Sequence, residues 1–78
     1  MKLNEQVAKN IHTEIYKAGH NNSALALKLG LSRQAISQKM RGEVAFSLNE
    51  VGAIAKWLNI PIATLFNSNN ENHSANAA

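Results

Sequence analysis

The chain contains no cysteine, which excludes disulfides and thiolate-held metal, so its fold has to rest on apolar packing. That composition fits a reducing cytoplasm. Aromatic residues are scarce, and Tyr16, Phe46, Trp57 and Phe66 form no evident stacking platform for single-stranded RNA. No apolar run approaches the roughly 20 residues that a bilayer span requires. The opening MKLNEQVAKN is polar throughout and lacks the apolar centre of a signal peptide. These absences together predict a soluble, cytoplasmic protein. Strand-type alternation and internal repeats are also missing, which leaves helices as the only regular structure to expect.

What is present suits a small folded domain. Hydrophobic residues make up 45% of the 78 residues and charged residues 17%, a balance unlike that of a disordered chain. The formal net charge is +3, and the excess is local. Lys28, Arg33, Lys39 and Arg41 fall in a window that holds no acid, whereas Glu5, Glu14, Glu43, Glu50 and Glu71 all lie outside it. Such clustering is the electrostatic footprint of a polyanion binder, or equally a solvated helix face rich in lysine.

Leu3, Val7, Ile11 and Ile15 recur every four residues, widened by Ala8 and Tyr16, and predict a first helix over about 4–18 closed by Gly19. Either Asn21 or Asn22 can cap a second helix over 22–29, whose short apolar face is Leu25, Ala26 and Leu29. Ser32 is positioned to cap a third over 33–41, ended by Gly42, with only Ala35, Ile36 and Met40 available to a core. Ser47-Leu48-Asn49-Glu50 is a capping box opening a fourth helix over 48–58, with Phe46 and Val51 as a hydrophobic staple. Its buried stripe is expected from Leu48, Val51, Ile54, Ala55 and Leu58. Pro61 suits the first turn of a last helix over 61–66, to which Ile62, Leu65 and Phe66 contribute apolar surface. The remainder, NSNNENHSANAA, buries too little to fold independently and reads as a flexible polar tail or linker at 67–78. The expected architecture is all-α, a bundle of five short helices over 1–66.

The stretch Asn22–Gly42 carries the functional signal. Ala26 is small where two helices would cross, Gly30 permits a sharp turn, and Leu25, Leu29, Leu31 and Ile36 would fill the wedge between them. Arg33, Gln34, Ser37, Gln38 and Arg41 are then left on an outer face able to enter a groove.

The run LALKLGLSRQAISQKMRG, followed by FSLNEVGAIAKWLNIPIATLF, resembles the lambda-repressor-like helix-turn-helix family, the Cro and Xre group, over roughly residues 3–66. Its look is nearest to phage and prophage immunity repressors. One departure is Lys39, where many members carry an aliphatic residue and where Met40 would supply the packing instead. The resemblance implies a transcriptional repressor of bacterial or phage origin that occupies a double-stranded DNA operator. It implies base contacts from Arg33, Gln34, Ser37 and Gln38, since arginine matches guanine O6 and N7 and glutamine matches adenine N6 and N7. Backbone contacts would come from Asn22, Ser23, Ser32, Lys39 and Arg41. Many relatives self-associate near their last helix, which here would use Trp57, Ile62 and Phe66; a homodimer or a further C-terminal domain would strengthen binding.

Against each role stands a plainer one: Arg33 and Gln34 as a solvated first turn, Ser32 as a cap, Lys28 as a surface lysine, Trp57 as a partly buried core residue. His12, His20 and His73 have no ligand-like spacing, and no nucleophile–base pairing stands out, so neither a metal, a cofactor nor an enzyme is expected. The competing function is a protein-binding module, an antitoxin or anti-repressor, using the same helical surface.

Overall fold

The stop and start signals written into the chain decide where its helices lie. The computed structural model describes residues 3–67 and contains, in order, α1 (Leu3–Lys17), α2 (Asn22–Leu29), α3 (Arg33–Met40), α4 (Leu48–Leu58) and α5 (Ile62–Phe66). Among the described residues there is no strand. Nor is any helix there long and apolar enough to cross a membrane. All of the tail expected at 67–78 except Asn67 lies outside the described residues, as does His73.

Three caps work through side chains. Asn21, rather than Asn22, opens α2 by accepting from the Ala24 amide at 2.9 Å. Ser32 opens α3 by accepting from the Ala35 amide at 3.0 Å. Ser47 and Glu50 complete the reciprocal capping box at the start of α4, with distances of 3.0 and 2.8 Å. Pro61 stands just before α5 as its N-cap, one residue outside the helix expected to include it. The other shifts in helix bounds are single residues, the ordinary scatter of fraying ends. Gly30 ends α2 with φ +71°, and Gly42 follows α3 with φ +80°, both left-handed conformations that favour glycine.

The core draws on every helix. Val7, Ala8, Ile11 and Ile15 come from α1, Leu25 and Ala26 from α2, Ile36 from α3, Val51, Ile54 and Ala55 from α4 and Leu65 from α5, with Phe46 from the loop between α3 and α4. Leu29, Leu31, Met40 and Leu58 pack partly buried against it, so the predicted wedge between the second and third helices is filled as expected. Two residues assigned to apolar stripes are not in the core: Leu3 is 65% exposed and Leu48 is 70% exposed. Both open their helices. Tyr16 is likewise exposed, its ring tilted against His12 at a centroid distance of 4.4 Å.

Polar groups also enter the interior. Asn10 is buried, and its Nδ2 donates to the carbonyls of Leu65 (3.0 Å) and Asn67 (2.6 Å), while its Oδ1 accepts from Gln6 Nε2 (3.1 Å). These bonds supply partners to carbonyls at the end of α5, which a five-residue helix cannot satisfy internally. At the other end of α1, Asn4 Nδ2 donates to the Gly42 carbonyl. The first helix therefore grips both the last helix and the turn that follows α3.

Candidate nucleic-acid interface

α2 and α3 are joined by the short turn Gly30-Leu31-Ser32, in which the Leu31 amide donates to the Ala26 carbonyl at 2.9 Å. The arrangement is compatible with a helix-turn-helix. Ile36 is the one fully buried residue of α3 and sits in the common core, which fixes the helix by a single deep anchor. Arg33, Gln34 and Ser37 are exposed and Gln38 is half-buried. None of these four side chains makes a hydrogen bond or ion pair within the described residues. All four were expected to contact bases, and the fold brings them onto one short helix with their polar groups unspent.

Arg33 opens α3, a turn without any acid. A cation there opposes the helix macrodipole, at a typical cost of about 0.3–1 kcal/mol. Helix stability therefore does not explain its presence, whereas an anion approaching from outside would.

The basic window is less uniform than its sequence suggests. Lys39 turns inward: Nζ lies 3.1 Å from Glu50 Oε1, donates to the Ala45 carbonyl at 3.1 Å and sits 5.6 Å from the centre of the Phe46 ring. Its side chain is only 12% exposed. This residue, expected on the DNA backbone, instead ties α3 to the capping box of α4. Arg41 is exposed but paired, with Nε 2.8 Å from Glu43 Oε2 and Nη2 3.2 Å from Oε1. The Arg41 hydrogen bonds, and secondly its charge, hold the Glu43 carboxyl below the usual carboxylate range; the same contacts raise the Arg41 guanidinium. Arg33 and Lys28 remain as the unpaired cations of the window.

Beside this face is a polar cleft of about 150 Å³ lined by Asn22, Ser23, Arg33, Ile36 and Ser37. It joins the first turn of α2 to the first turn of α3, bringing together residues assigned separately to backbone and base contact. Ser23 is exposed and without a partner, while Ser32 accepts as a cap and keeps its hydroxyl proton for an outside acceptor.

The residues expected to self-associate are engaged separately. Trp57 is half-buried and stacked on His20, ring centroids 4.4 Å apart. Ile62 is 40% exposed. Phe66 lines an apolar groove of about 260 Å³ together with Leu3, Asn4, Val7, Ala45, Phe46 and Val51. Among the described residues, His and Glu side chains form no group of three suited to a metal.

A family model described as the BetR domain matches residues 2–77. The chain belongs to the BetR domain family. BetR domains are small, helical and helix-turn-helix-like, and membership points to a DNA-binding regulatory domain. No curated protein and no solved structure matches the chain. In this BetR domain the match runs through all five helices and includes the whole α2–α3 face.

Proposed function

We propose that the chain is a sequence-specific regulator of transcription that inserts α3 into the major groove of duplex DNA, a binding domain rather than an enzyme. The observation that carries this reading is the unpaired row of Arg33, Gln34 and Ser37 on a helix anchored by Ile36. Arginine and glutamine present the donor and acceptor patterns that distinguish guanine and adenine in that groove. Ser23 and Ser32 supply donors for phosphates at the flanks, and Lys28 adds unpaired charge nearby. Repression in the manner of a phage or prophage immunity protein follows from the resemblance to that group. The protein would act in the cytoplasm of a bacterium by occupying an operator that polymerase or a competing regulator needs.

So few unpaired cations give one domain only weak, salt-sensitive affinity. Two copies, or a second domain, would supply the rest. Selection from a randomised duplex library, with wild type and the Arg33→Ala/Gln34→Ala variant in parallel, tests the proposal. Wild type should enrich one motif that the variant loses or relaxes, and a motif repeated with two-fold symmetry would indicate two copies on half-sites roughly 34 Å apart. Enrichment of nothing, or of the same motif by both proteins, would overturn it and turn the search towards a protein partner.

A further inference from the structure

The groove between the start of α1, the α3–α4 loop, α4 and α5 measures about 260 Å³. Buried Val7, Phe46 and Val51 form its floor, while exposed Leu3 and Ala45 stand at its mouth with half-buried Phe66. No charged side chain lines it. Its one polar side chain is Asn4, whose Nδ2 is committed to the Gly42 carbonyl. Asn4 Oδ1 accepts no hydrogen bond and is left free for an incoming donor. Drug-sized ligands take about 300–1,000 Å³, whereas an apolar cavity of about 150 Å³ already holds benzene. A molecule of one or two rings is therefore the matching size. Phe46 and Phe66 offer ring surface, and aromatic rings favour offset-stacked or edge-on contact with one another. A charged ligand would lose its hydration in this groove without meeting an opposite charge. Residues 68–78 follow Phe66 closely, but apart from Ala75, Ala77 and Ala78 they are polar and match the lining poorly.

We propose that this groove is a binding site for a small uncharged aromatic molecule. Its ring lies against Phe46 and Phe66, and its single N–H or O–H donates to Asn4 Oδ1. Complementarity selects the class: an uncharged lining excludes ions, and one free acceptor asks for one donor. The site shares no lining residue with the cleft between α2 and α3, so it stands or falls independently of the DNA-binding reading. It is nevertheless tied to the end of α3. Asn4 holds the Gly42 carbonyl, while Lys39 donates to the Ala45 carbonyl and lies 5.6 Å from the centre of the Phe46 ring. Occupancy is thereby felt at the turn that follows α3.

Nuclear magnetic resonance titrations of the full chain with indole, N-methylindole and indole carboxylate test the site. Indole should bind saturably with a dissociation constant on the order of 1 mM. It should shift the amides of Leu3, Val7, Phe46 and Phe66, together with that of Gly42. N-Methylindole keeps the rings but lacks the donor, and should bind about three- to tenfold more weakly. Indole carboxylate keeps the donor but carries a charge, and should also bind more weakly than indole. Ala45→Leu fills the mouth without touching the buried floor and should abolish the saturable shifts. Asn4→Ala should erase the preference for indole over N-methylindole. Absence of a saturable shift at these amides, equal binding of the carboxylate, or undiminished binding by Ala45→Leu would overturn the proposal. So would contacts of Ala75, Ala77 or Ala78 with Phe66 in the ligand-free chain, which would give the groove to the chain's own end. Shifts of the same amides with protein concentration alone would give it to a second copy, and overturn the proposal equally. Far-ultraviolet circular dichroism confirms that each variant is folded before binding is compared.

Discussion

Exchanging Lys39 for methionine separates charge used to hold the fold from charge offered to DNA. Its ammonium bonds the Ala45 carbonyl and the Glu50 carboxylate, each at 3.1 Å, and the two charged side chains are 12% and 22% exposed. A hydrogen bond from a charged donor contributes about 1.5 kcal/mol. Discounted for its partial exposure, the ion pair adds about 0.5 kcal/mol. Methionine regains some of this by packing against Phe46, so the net loss should be about 1–2 kcal/mol. For a domain of this size that lowers the melting temperature by about 5–15 °C. The salt dependence of binding to the enriched duplex, followed between about 50 and 200 mM, should keep its slope, because no phosphate contact is lost. Glu50→Gln should destabilise similarly, and the two substitutions together should cost less than their sum, since both break one interaction. The reasoning is refuted if Lys39→Met leaves the melting temperature unchanged and flattens the salt slope by about 0.9, the signature of one lost phosphate contact.

Glu43→Gln releases Arg41 and should strengthen duplex binding while steepening the salt slope by about 0.9; an unchanged slope would show that Arg41 never reaches the DNA backbone. Because Glu43 titrates below the usual carboxylate range, the pair forms fully above that range and is lost only as pH falls through the depressed value. Wild type should therefore gain the contribution of Arg41 at acid pH, and Glu43→Gln should show no such gain, as fluorescence anisotropy titrations across that range would reveal. Gly30→Ala should cost about 1 kcal/mol for the left-handed backbone alone, since a β-carbon there meets nothing within 4 Å. Gly42→Ala should cost clearly more in urea unfolding, because its β-carbon would lie 2.5 Å from Glu5 Cγ, and Glu5→Ala should recover part of the difference.

Local signals were legible in the chain, and longer-range pairings were not. Ser47 and Glu50 announce a helix start because both halves of the capping box lie within four residues, and Gly30 announces a stop because few other residues take its backbone conformation. The five helices were readable on such grounds, as was Ile36 among the three core candidates of the third. The burial of Lys39 was not, because its partner Glu50 stands on another helix and comes near only when α3 and α4 pack. The burial of Asn10 was not legible either, since the carbonyls it serves belong to residues far along the chain. Leu3 and Leu48 fit the helical period, but periodicity gives a direction around a helix and says nothing of how far along it the core extends. For the candidate site, the sequence separated the outward face of α3 from its core side. It gave no sign of which cations already had acids beside them.

The bonds from Asn10 to Leu65 and Asn67 have a consequence for how the domain is made. They are hydrogen bonds between parts of the chain separated by 55 and 57 positions. During synthesis α1 precedes every helix that packs against it, and the face it presents to α5 is the last to be covered. Closing so large a loop adds little entropic cost per extra residue. A nascent chain stalled before Leu65 would leave the α5-facing side of the first helix open to chaperones and proteases.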